Sequence, residues 1–173
     1  MALNDTPSSL VILGLGSNLG DSKLIIHNAV ESLKKQFPAL CTASLYETEP
    51  MYVLEQNRFV NSAVSFYYPG IADTASAHRI LSIINNIEAS FGRDRSIEQR
   101  WGQRFLDIDI LLFGDLVLNE TDLEIPHPRL KERRFALEPL LEICPDAKEP
   151  GSGLFYKTIR DALLDQGARI GSA

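Results

Sequence analysis

Apolar and polar positions along the first part of the chain predict alternating strands and helices. Residues 10–16 form an apolar run closed by glycine, and residues 22–37 place apolar side chains at helical spacing. Residues 42–50 and 58–68 alternate and are rich in β-branched and aromatic residues. They predict two strands, paired antiparallel and joined by a long polar connection.

The second part of the chain continues the same alternation. A helix is predicted from a cap at Asp73 or Thr74 to Gly92, because its apolar positions recur every three and four residues. The remaining predicted elements are a strand at 104–114, a small hairpin at 116–128, and helices at 134–144 and 155–167. The order strand, helix, strand, strand, helix, strand is the split βαβ pattern. It predicts an α+β, ferredoxin-like single domain over residues 1–173, with four main antiparallel strands, helices on one face and additional C-terminal helices.

The strand at 104–114 carries two aspartates within an apolar run. Its alternation predicts one buried face made of Leu106, Ile108, Ile110 and Leu112. Asp107 and Asp109 then point together to the other face, where they repel each other unless a cation lies between them. Two carboxylates suit Mg²⁺, a hard cation that also binds phosphate oxygens. An alternative is that the two carboxylates are solvated or paired with arginine on an edge strand. The DxD pattern also occurs in phosphatases, nucleotidyl transferases and glycosyl transferases.

Four arginines lie within twelve residues before and at the start of this strand, in an otherwise acidic chain: Arg93, Arg95, Arg100 and Arg104. Guanidinium groups bind phosphate oxygens in pairs and stabilise charge on a transferred phosphoryl group. The simpler alternative is a solvated basic loop. Arginines that lead directly into a carboxylate pair favour a site for polyphosphate transfer.

Other candidate residues are less distinctive. His127 lies between two prolines near Arg133, and it is either incidental or part of the same anion site. Trp101 lies in a polar loop and is a candidate stacking surface. Phe59 and Phe135 are typical of core residues, and Asn61 binds either a heterocycle edge or a neighbouring backbone group.

The glycines of GLGSNLG, residues 14–20, do not match a dinucleotide-binding fingerprint, because Leu19 stands where GxGxxG requires glycine. No GxxxxGK[ST] motif is present. These glycines therefore predict a tight turn between strand and helix in preference to direct ligand contact.

Composition narrows the class of partner. The chain has 173 residues, a formal charge of −6 and a pI near 5.1. This acidity disfavours nucleic acid and anionic membranes, and favours a small-molecule partner. Two cysteines without CxxC spacing, no signal sequence and no long apolar run predict a soluble, cytoplasmic protein.

Several segments together resemble 6-hydroxymethyl-7,8-dihydropterin pyrophosphokinase of folate biosynthesis. They are GLGSNLGD, YETEP, FVNSAV, GRDRSIEQRWGQRFLDIDILLFG and IPHPRLKERRFALEPL, and they cover residues 10–145. The resemblance implies a ferredoxin-like enzyme that transfers the pyrophosphoryl group of ATP to the pterin hydroxymethyl group and releases AMP. It also implies a monomer whose partners are ATP and the pterin.

The resemblance assigns roles by position. Asp107 and Asp109 bind two Mg²⁺ ions, and Arg93 and Arg104 join them in catalysis. The implied nucleotide contacts are Arg95, Arg104, Ile110, His127 and Arg133. The implied pterin contacts are Gly16, Thr48, Pro50, Phe59, Asn61, Trp101 and Phe135, with the two phenylalanines enclosing the ring. Glu88 matches a family carboxylate whose role stays open. The chain departs from the common pattern at Phe59, Gln103, Asp122 and Pro128.

Two rival functions remain at this level. A non-catalytic module that senses a nucleotide or pterin would bind ligand without forming product. A magnesium-dependent nucleotidyl transferase would release pyrophosphate rather than AMP. The identity of the product separates all three.

Overall fold

An antiparallel sheet organises the protein. The computed structural model describes residues 8–49, 57–92, 105–164 and 169–170. The strands are β1 Ser8–Ser17, β2 Cys41–Thr42, β3 Tyr46–Thr48, β4 Phe59–Pro69, β5 Asp107–Phe113 and β8 Arg169–Ile170, with a separate hairpin of β6 Leu118–Asn119 and β7 Glu124–Ile125. The sheet order is β5-β1-β4-β3-β8, and β2 also pairs with β4. The four main strands β5-β1-β4-β3 confirm the predicted ferredoxin-like fold.

Two long helices cover what we call the back face of the sheet. Helix α1 spans Ser22–Gln36 and α2 spans Thr74–Ser90. The carboxylate of Asp73 caps α2 by accepting a hydrogen bond from the backbone N–H of Ser76 at 2.7 Å, as predicted. Both helices bury their apolar stripes against β1, β4 and β5 in the larger core. Within the described residues, no helix combines the length and apolarity needed to cross a membrane.

A smaller core lies on the opposite face, which we call the front face. Helices α3 Arg134–Ile143 and α4 Tyr156–Ala162 follow a short 3-10 turn, Leu130–Glu132. Leu137 and Leu140 of α3 pack with Ile12 of β1 and Leu111 of β5. Both predicted C-terminal helices are present, but α4 ends at Ala162 and not at the predicted Gly167.

The alternation predicted for β5 is wrong at Leu112. Leu13 pairs with Ile110 and Ile12 pairs with Leu112, so Leu111 is an extra residue and forms a β-bulge. Ile110 therefore faces the larger core, whereas Leu111 and Leu112 both join the smaller one. The bulge lets a single strand supply two successive apolar side chains to the smaller core, starting two residues after Asp109.

The strand predicted at 42–50 is divided into β2 and β3. Between them, the backbone N–H of Ser44 donates to Glu142 of α3, at 3.0 and 3.1 Å from its two carboxylate oxygens. The hydroxyl of Ser62 donates to the Ala43 carbonyl at 3.0 Å. The Ala43 N–H still donates to the Ala63 carbonyl of β4 at 2.9 Å, so the regular ladder is interrupted from Ser44, whose N–H bonds to a side chain instead.

The hairpin formed by β6 and β7 was predicted, and it contacts α2 through His78. The Nε2 atom of His78 lies 2.7 Å from the Oε2 atom of Glu120. This hydrogen bond raises the pKa of His78 above its ordinary value of 6.5, and Asp122 acts in the same direction. Both side chains are partly exposed, so the contact contributes modestly to stability.

We expect this contact to make the stability of the protein depend on pH. The pKa of His78 is higher in the folded state, so the contribution is fully present below pH 6.5 and is lost as the pH rises through the raised pKa. Urea denaturation at about pH 6 and about pH 8 measures the free energy of unfolding at each pH. We expect this free energy to fall more between the two pH values in the wild type than in Glu120→Gln. Equal losses in the two proteins would contradict the assignment.

Candidate functional site

One cross-strand row on the front face carries the central candidate residues. Asp107 of β5 pairs with Gly16 of β1, Gly16 pairs with Asn61 of β4, and Asn61 pairs with Tyr46 of β3. Residues in register across a sheet share a face, so these side chains point the same way. Asp109 lies in the next row of this face, opposite Gly14. The predicted orientation of both aspartates away from Ile108 and Ile110 is confirmed.

Gly14 and Gly16 lie inside β1, so the predicted tight turn is wrong at these two positions. Of the three glycines at residues 14–20, only Gly20, with a φ of +71°, adopts the positive φ expected of a turn. A Cβ atom on Gly14 would meet the side chain of Leu111 at 3.2 Å, so this glycine admits the bulged strand. Among the described residues, a Cβ atom on Gly16 would have only Asn61 Oδ1 within 4 Å, at 3.1 Å. Within this part of the chain, Gly16 therefore leaves space between Asp107 and Asn61.

Asn61 and Thr48 form a buried polar pair at the other side of this space. The amide Nδ2 of Asn61 donates to the Thr48 hydroxyl at 2.9 Å, and the two residues are 6% and 5% exposed. This bond holds the amide and directs its Oδ1 atom toward Gly16. The arrangement presents a fixed hydrogen-bond acceptor to a ligand lying on the sheet.

His127 and Arg133 gather around Asp109. The Oδ2 atom of Asp109 lies 3.6 Å from His127 Nε2 and 3.9 Å from a terminal guanidinium nitrogen of Arg133. The side chains of His127 and Arg133 are 16% and 13% exposed, whereas that of Asp109 is 37% exposed. The carboxylate thus opens toward solvent while donors surround its inner side.

His127 is held in place by its own backbone and by the 3-10 turn that follows. Its N–H donates to the Leu111 carbonyl at 3.1 Å, and its ring Nδ1 accepts from the N–H of Arg129 at 3.2 Å. Burial, followed by the charge of Arg133, lowers the pKa of His127 to about 4. The ring is therefore neutral near pH 7, and its Nε2 atom lies 3.4 Å from a guanidinium nitrogen of Arg133.

The two predicted ring-enclosing phenylalanines start different elements. Phe59 begins β4 on the front face, and Phe135 lies in the first turn of α3, where the Arg133 guanidinium is 5.7 Å from the centre of its ring. The side chain of Ile110 belongs to the larger core, which leaves its backbone for any nucleotide contact. The predictions for Pro50, Arg93, Arg95, Arg100, Trp101, Gln103 and Arg104 lie outside the described residues.

Two residues support the site in roles that patterns in the sequence do not reveal. Glu142 of α3 accepts hydrogen bonds from the hydroxyls of Ser44 and Tyr46, both at 2.8 Å, and so connects α3 to β3. Glu88 of α2 is 1% exposed and accepts the backbone N–H of Ile108 at 2.8 Å. The sequence did contain a signal for Glu88, because it is a charged residue on the otherwise apolar stripe of α2.

The carboxylate pair fits a bound Mg²⁺. Asp107 and Asp109 offer hard oxygen ligands from adjacent rows of one face, and Gly16 places no side chain of its own beside them. A different group, His78, Glu120 and Asp122, brings three metal-type ligand atoms within 4.8 Å of one another. His78 and Glu120 in that group are already hydrogen bonded to each other.

Comparison with known proteins agrees with this geometry. Residues 12–145 match the family described as 7,8-dihydro-6-hydroxymethylpterin-pyrophosphokinase (HPPK). The chain belongs to the HPPK family. The matched range contains the complete row from Asp107 to Tyr46 and both of the residues that surround Asp109.

Bacterial members of the HPPK family align over most of their length. The chain is 37% identical over 153 residues to 2-amino-4-hydroxy-6-hydroxymethyldihydropteridine pyrophosphokinase of Methylorubrum extorquens, which covers 87% of this chain and 89% of that protein. The corresponding Bacillus subtilis protein is 35% identical over 144 residues, covering 82% of each chain.

Folic acid synthesis protein fol1 of Pneumocystis carinii is 34% identical over 94% of this chain, which spans only 21% of that relative's length.

Solved HPPK structures share the fold. A crystal structure of HPPK-DHPS in complex with substrates superposes with a TM-score of 0.65 at 15% identity, covering 91% of this chain and 43% of that one. Wild-type Plasmodium falciparum HPPK-DHPS gives a TM-score of 0.63, also at 15% identity, covering 92% of this chain and 45% of that one. At this level of identity the likeness establishes the fold alone.

Proposed function

We propose that this protein transfers the pyrophosphoryl group of ATP to the hydroxymethyl group of 6-hydroxymethyl-7,8-dihydropterin, with Mg²⁺. The observation that carries the proposal is the row from Asp107 through Gly16 to Asn61. It sets a carboxylate pair and a buried amide on one face, two strand spacings or about 10 Å apart. A triphosphate at the carboxylates and a heterocycle at the amide then meet over Gly16.

In the proposed reaction the pterin hydroxymethyl oxygen attacks the β-phosphorus of ATP. The bond from that phosphorus to the oxygen shared with the α-phosphate breaks, AMP leaves, and the hydroxyl proton is released. Mg²⁺ ions bound by Asp107 and Asp109, two as the resemblance implies, would neutralise charge on the phosphates. No described residue is assigned as a general base, since phosphoryl transfer depends chiefly on positioning and electrostatics.

The residues around Asp109 suit the nucleotide side. Arg133 offers a guanidinium group to phosphate oxygens, and its position beside Asp109 places it next to the proposed metal ligands. Neutral His127 adds a polar ring beside Asp109 without adding charge. Arg93, Arg95 and Arg104 are proposed to add further phosphate contacts.

Asn61 and Thr48 suit the pterin side. The Asn61 Oδ1 atom would accept a hydrogen bond from a ring N–H or amino group of the pterin. Phe59 and Phe135 are proposed to enclose the ring, together with Pro50 and Trp101. We also propose that the chain acts as a cytoplasmic monomer, because both halves of the proposed site come from one chain.

Product analysis tests this function. Purified protein is incubated with ATP and the pterin, with and without Mg²⁺, and the nucleotide products are separated. We expect AMP to form in step with pterin pyrophosphate, and only with the metal. Release of ADP or pyrophosphate would overturn the proposed chemistry, and pterin binding without any product would favour a binding module.

Gly16→Ala is expected to weaken pterin binding while the protein stays folded. The new Cβ atom would lie 3.1 Å from Asn61 Oδ1, which the Thr48 hydrogen bond holds in place. We expect KM for the pterin to rise about tenfold, or about 1.4 kcal/mol, with kcat little changed.

Gly14→Ala serves as the comparison, because its Cβ atom would meet buried Leu111 rather than Asn61. It should lower the thermal midpoint and leave KM for the pterin within about twofold. If the two variants change KM equally, the space above Gly16 is not the pterin pocket.

A further inference from the structure

β5 is the outer strand of the described sheet, so its outward backbone groups need partners outside the ladder. Two of them are supplied by residues far away in the sequence. The N–H of Ile108 donates to Glu88 Oε1 at 2.8 Å, and the carbonyl of Leu111 accepts from the N–H of His127 at 3.1 Å. Both contacts are made on the stretch of β5 that carries the two aspartates.

Glu88 is an unusual choice for its position in the fold. It lies in the last turn of α2, follows Ile80, Ile84 and Ile87 on the buried stripe, and is 1% exposed. Helix packing alone would be served by leucine or methionine, without the cost of burying a carboxylate. The carboxylate therefore has a task that an apolar side chain of similar length cannot perform.

The Ile108 N–H belongs to the peptide group that joins Asp107 to Ile108. Holding this peptide restricts the backbone torsions on both sides of it, and these torsions direct the side chains of Asp107 and Asp109 to the front face. Glu88 itself approaches from the α2 side. It can thus influence the carboxylate pair without touching a ligand bound on the front face.

We propose that Glu88 is a positioning residue for the metal site. By holding the Ile108 N–H, it sets the mutual orientation of Asp107 and Asp109 that binds Mg²⁺. This inference rests on the proposed function for the role of the pair, and adds a residue whose action passes through the backbone. Groups that orient metal ligands typically change metal affinity or activity by 10-fold to 100-fold when they are removed.

Three variants separate positioning from general stability. Glu88→Met keeps the length of the side chain and removes the acceptor, whereas Glu88→Gln keeps a carbonyl oxygen for the Ile108 N–H and removes the charge. Ser62→Ala is the matched control. It deletes another buried side-chain bond to the backbone, from the Ser62 hydroxyl to the Ala43 carbonyl, beyond β1 and on the back face.

The first measurement is the affinity for Mn²⁺ in the presence of a non-hydrolysable ATP analogue. Electron paramagnetic resonance detects the bound metal. We expect Glu88→Met to bind Mn²⁺ about tenfold more weakly than the wild type, and Glu88→Gln and Ser62→Ala to stay within about twofold. The second measurement is hydrogen exchange of the Ile108 amide by NMR. Its protection should fall in Glu88→Met and persist in Glu88→Gln.

Wild-type Mn²⁺ affinity in a folded Glu88→Met variant would overturn the proposal, as would equal weakening in Ser62→Ala. If Glu88→Met does not fold, Glu88→Gln decides. Retained affinity with a protected Ile108 amide supports positioning through the acceptor, and a loss of affinity despite that protection overturns it. None of these measurements requires turnover, so absence of AMP from the wild type would count against the proposed function alone.

Discussion

Asp109→Asn is expected to reduce the rate of AMP formation by about a thousandfold or more, at saturating Mg²⁺, with the fold intact. Asparagine has the shape of aspartate but lacks the charge that attracts a divalent cation. The Asp109 side chain is 37% exposed, so its replacement removes no core packing. The rate is measured as AMP formed with the pterin, and folding is checked by circular dichroism and the thermal midpoint.

Asp115→Asn is the matched control for this variant. Asp115 is an exposed residue of the same type in the turn directly after β5, beyond the candidate site. We expect its turnover to remain within about twofold of the wild type. Near-normal turnover in Asp109→Asn would show that Asp109 does not hold the catalytic metal.

Asn61→Leu is expected to lower kcat/KM for the pterin about a hundredfold, or about 2.7 kcal/mol. Leucine fills a similar volume but offers no acceptor, so the polar edge of a bound heterocycle would lose its partner. The Thr48 hydroxyl, which is 5% exposed, would lose its donor as well. Steady-state kinetics with varied pterin, at fixed ATP and Mg²⁺, measures the effect.

Two variants of Thr48 show whether the orientation of the Asn61 amide matters. Thr48→Ser keeps a hydroxyl for Asn61 Nδ2, whereas Thr48→Val keeps the shape of threonine and removes the hydroxyl. We expect Thr48→Val to raise KM for the pterin about tenfold and Thr48→Ser to change it by less than about threefold. An Asn61→Leu variant with wild-type kcat/KM would remove Asn61 from the pterin pocket.

Local patterns predicted the long elements well. The stripe of Ile80, Ile84 and Ile87 and the cap at Asp73 are contained in the local sequence, so α2 was anticipated nearly to the residue. The alternation of residues along β4 was likewise visible without knowledge of the strands that pair with it. Breaks in a strand are harder to anticipate, because Ser44 leaves the ladder for Glu142, which is 98 residues away.

The bulge in β5 shows the limit of periodicity. Strict alternation assigns Leu112 to the same face as Ile110, but the structure inserts Leu111 as an extra residue. The smaller core, which contains Leu137 and Leu140, gains two adjacent leucines from this shift. The hydrophobicity of a residue does not distinguish between two apolar cores. Only tertiary packing therefore decides which face of the sheet its side chain lies on.

The candidate site, too, was predicted from the sequence only in part. Asp107 and Asp109 were visible as charges in an apolar strand, whereas the glycine pattern assigned Gly16 to a turn and only the family resemblance placed it at the pterin. A strand glycine and a turn glycine look alike until the neighbouring strands are in register. Glu88 shows the same limit, since its partner is a backbone group of another element.

The sequence by itself determined the order and type of the main elements, the carboxylate pair and its shared face, because these depend on spacing along the chain. The tertiary structure alone decided which residues lie opposite one another: Asp107 with Gly16, Gly16 with Asn61, and Asp109 beside His127 and Arg133. The physical reason is that strand register and burial depend on contacts between distant segments. Those contacts also bury His127, and burial is the largest cause of its low pKa, ahead of the charges of Arg133 and Arg129 nearby in the sequence.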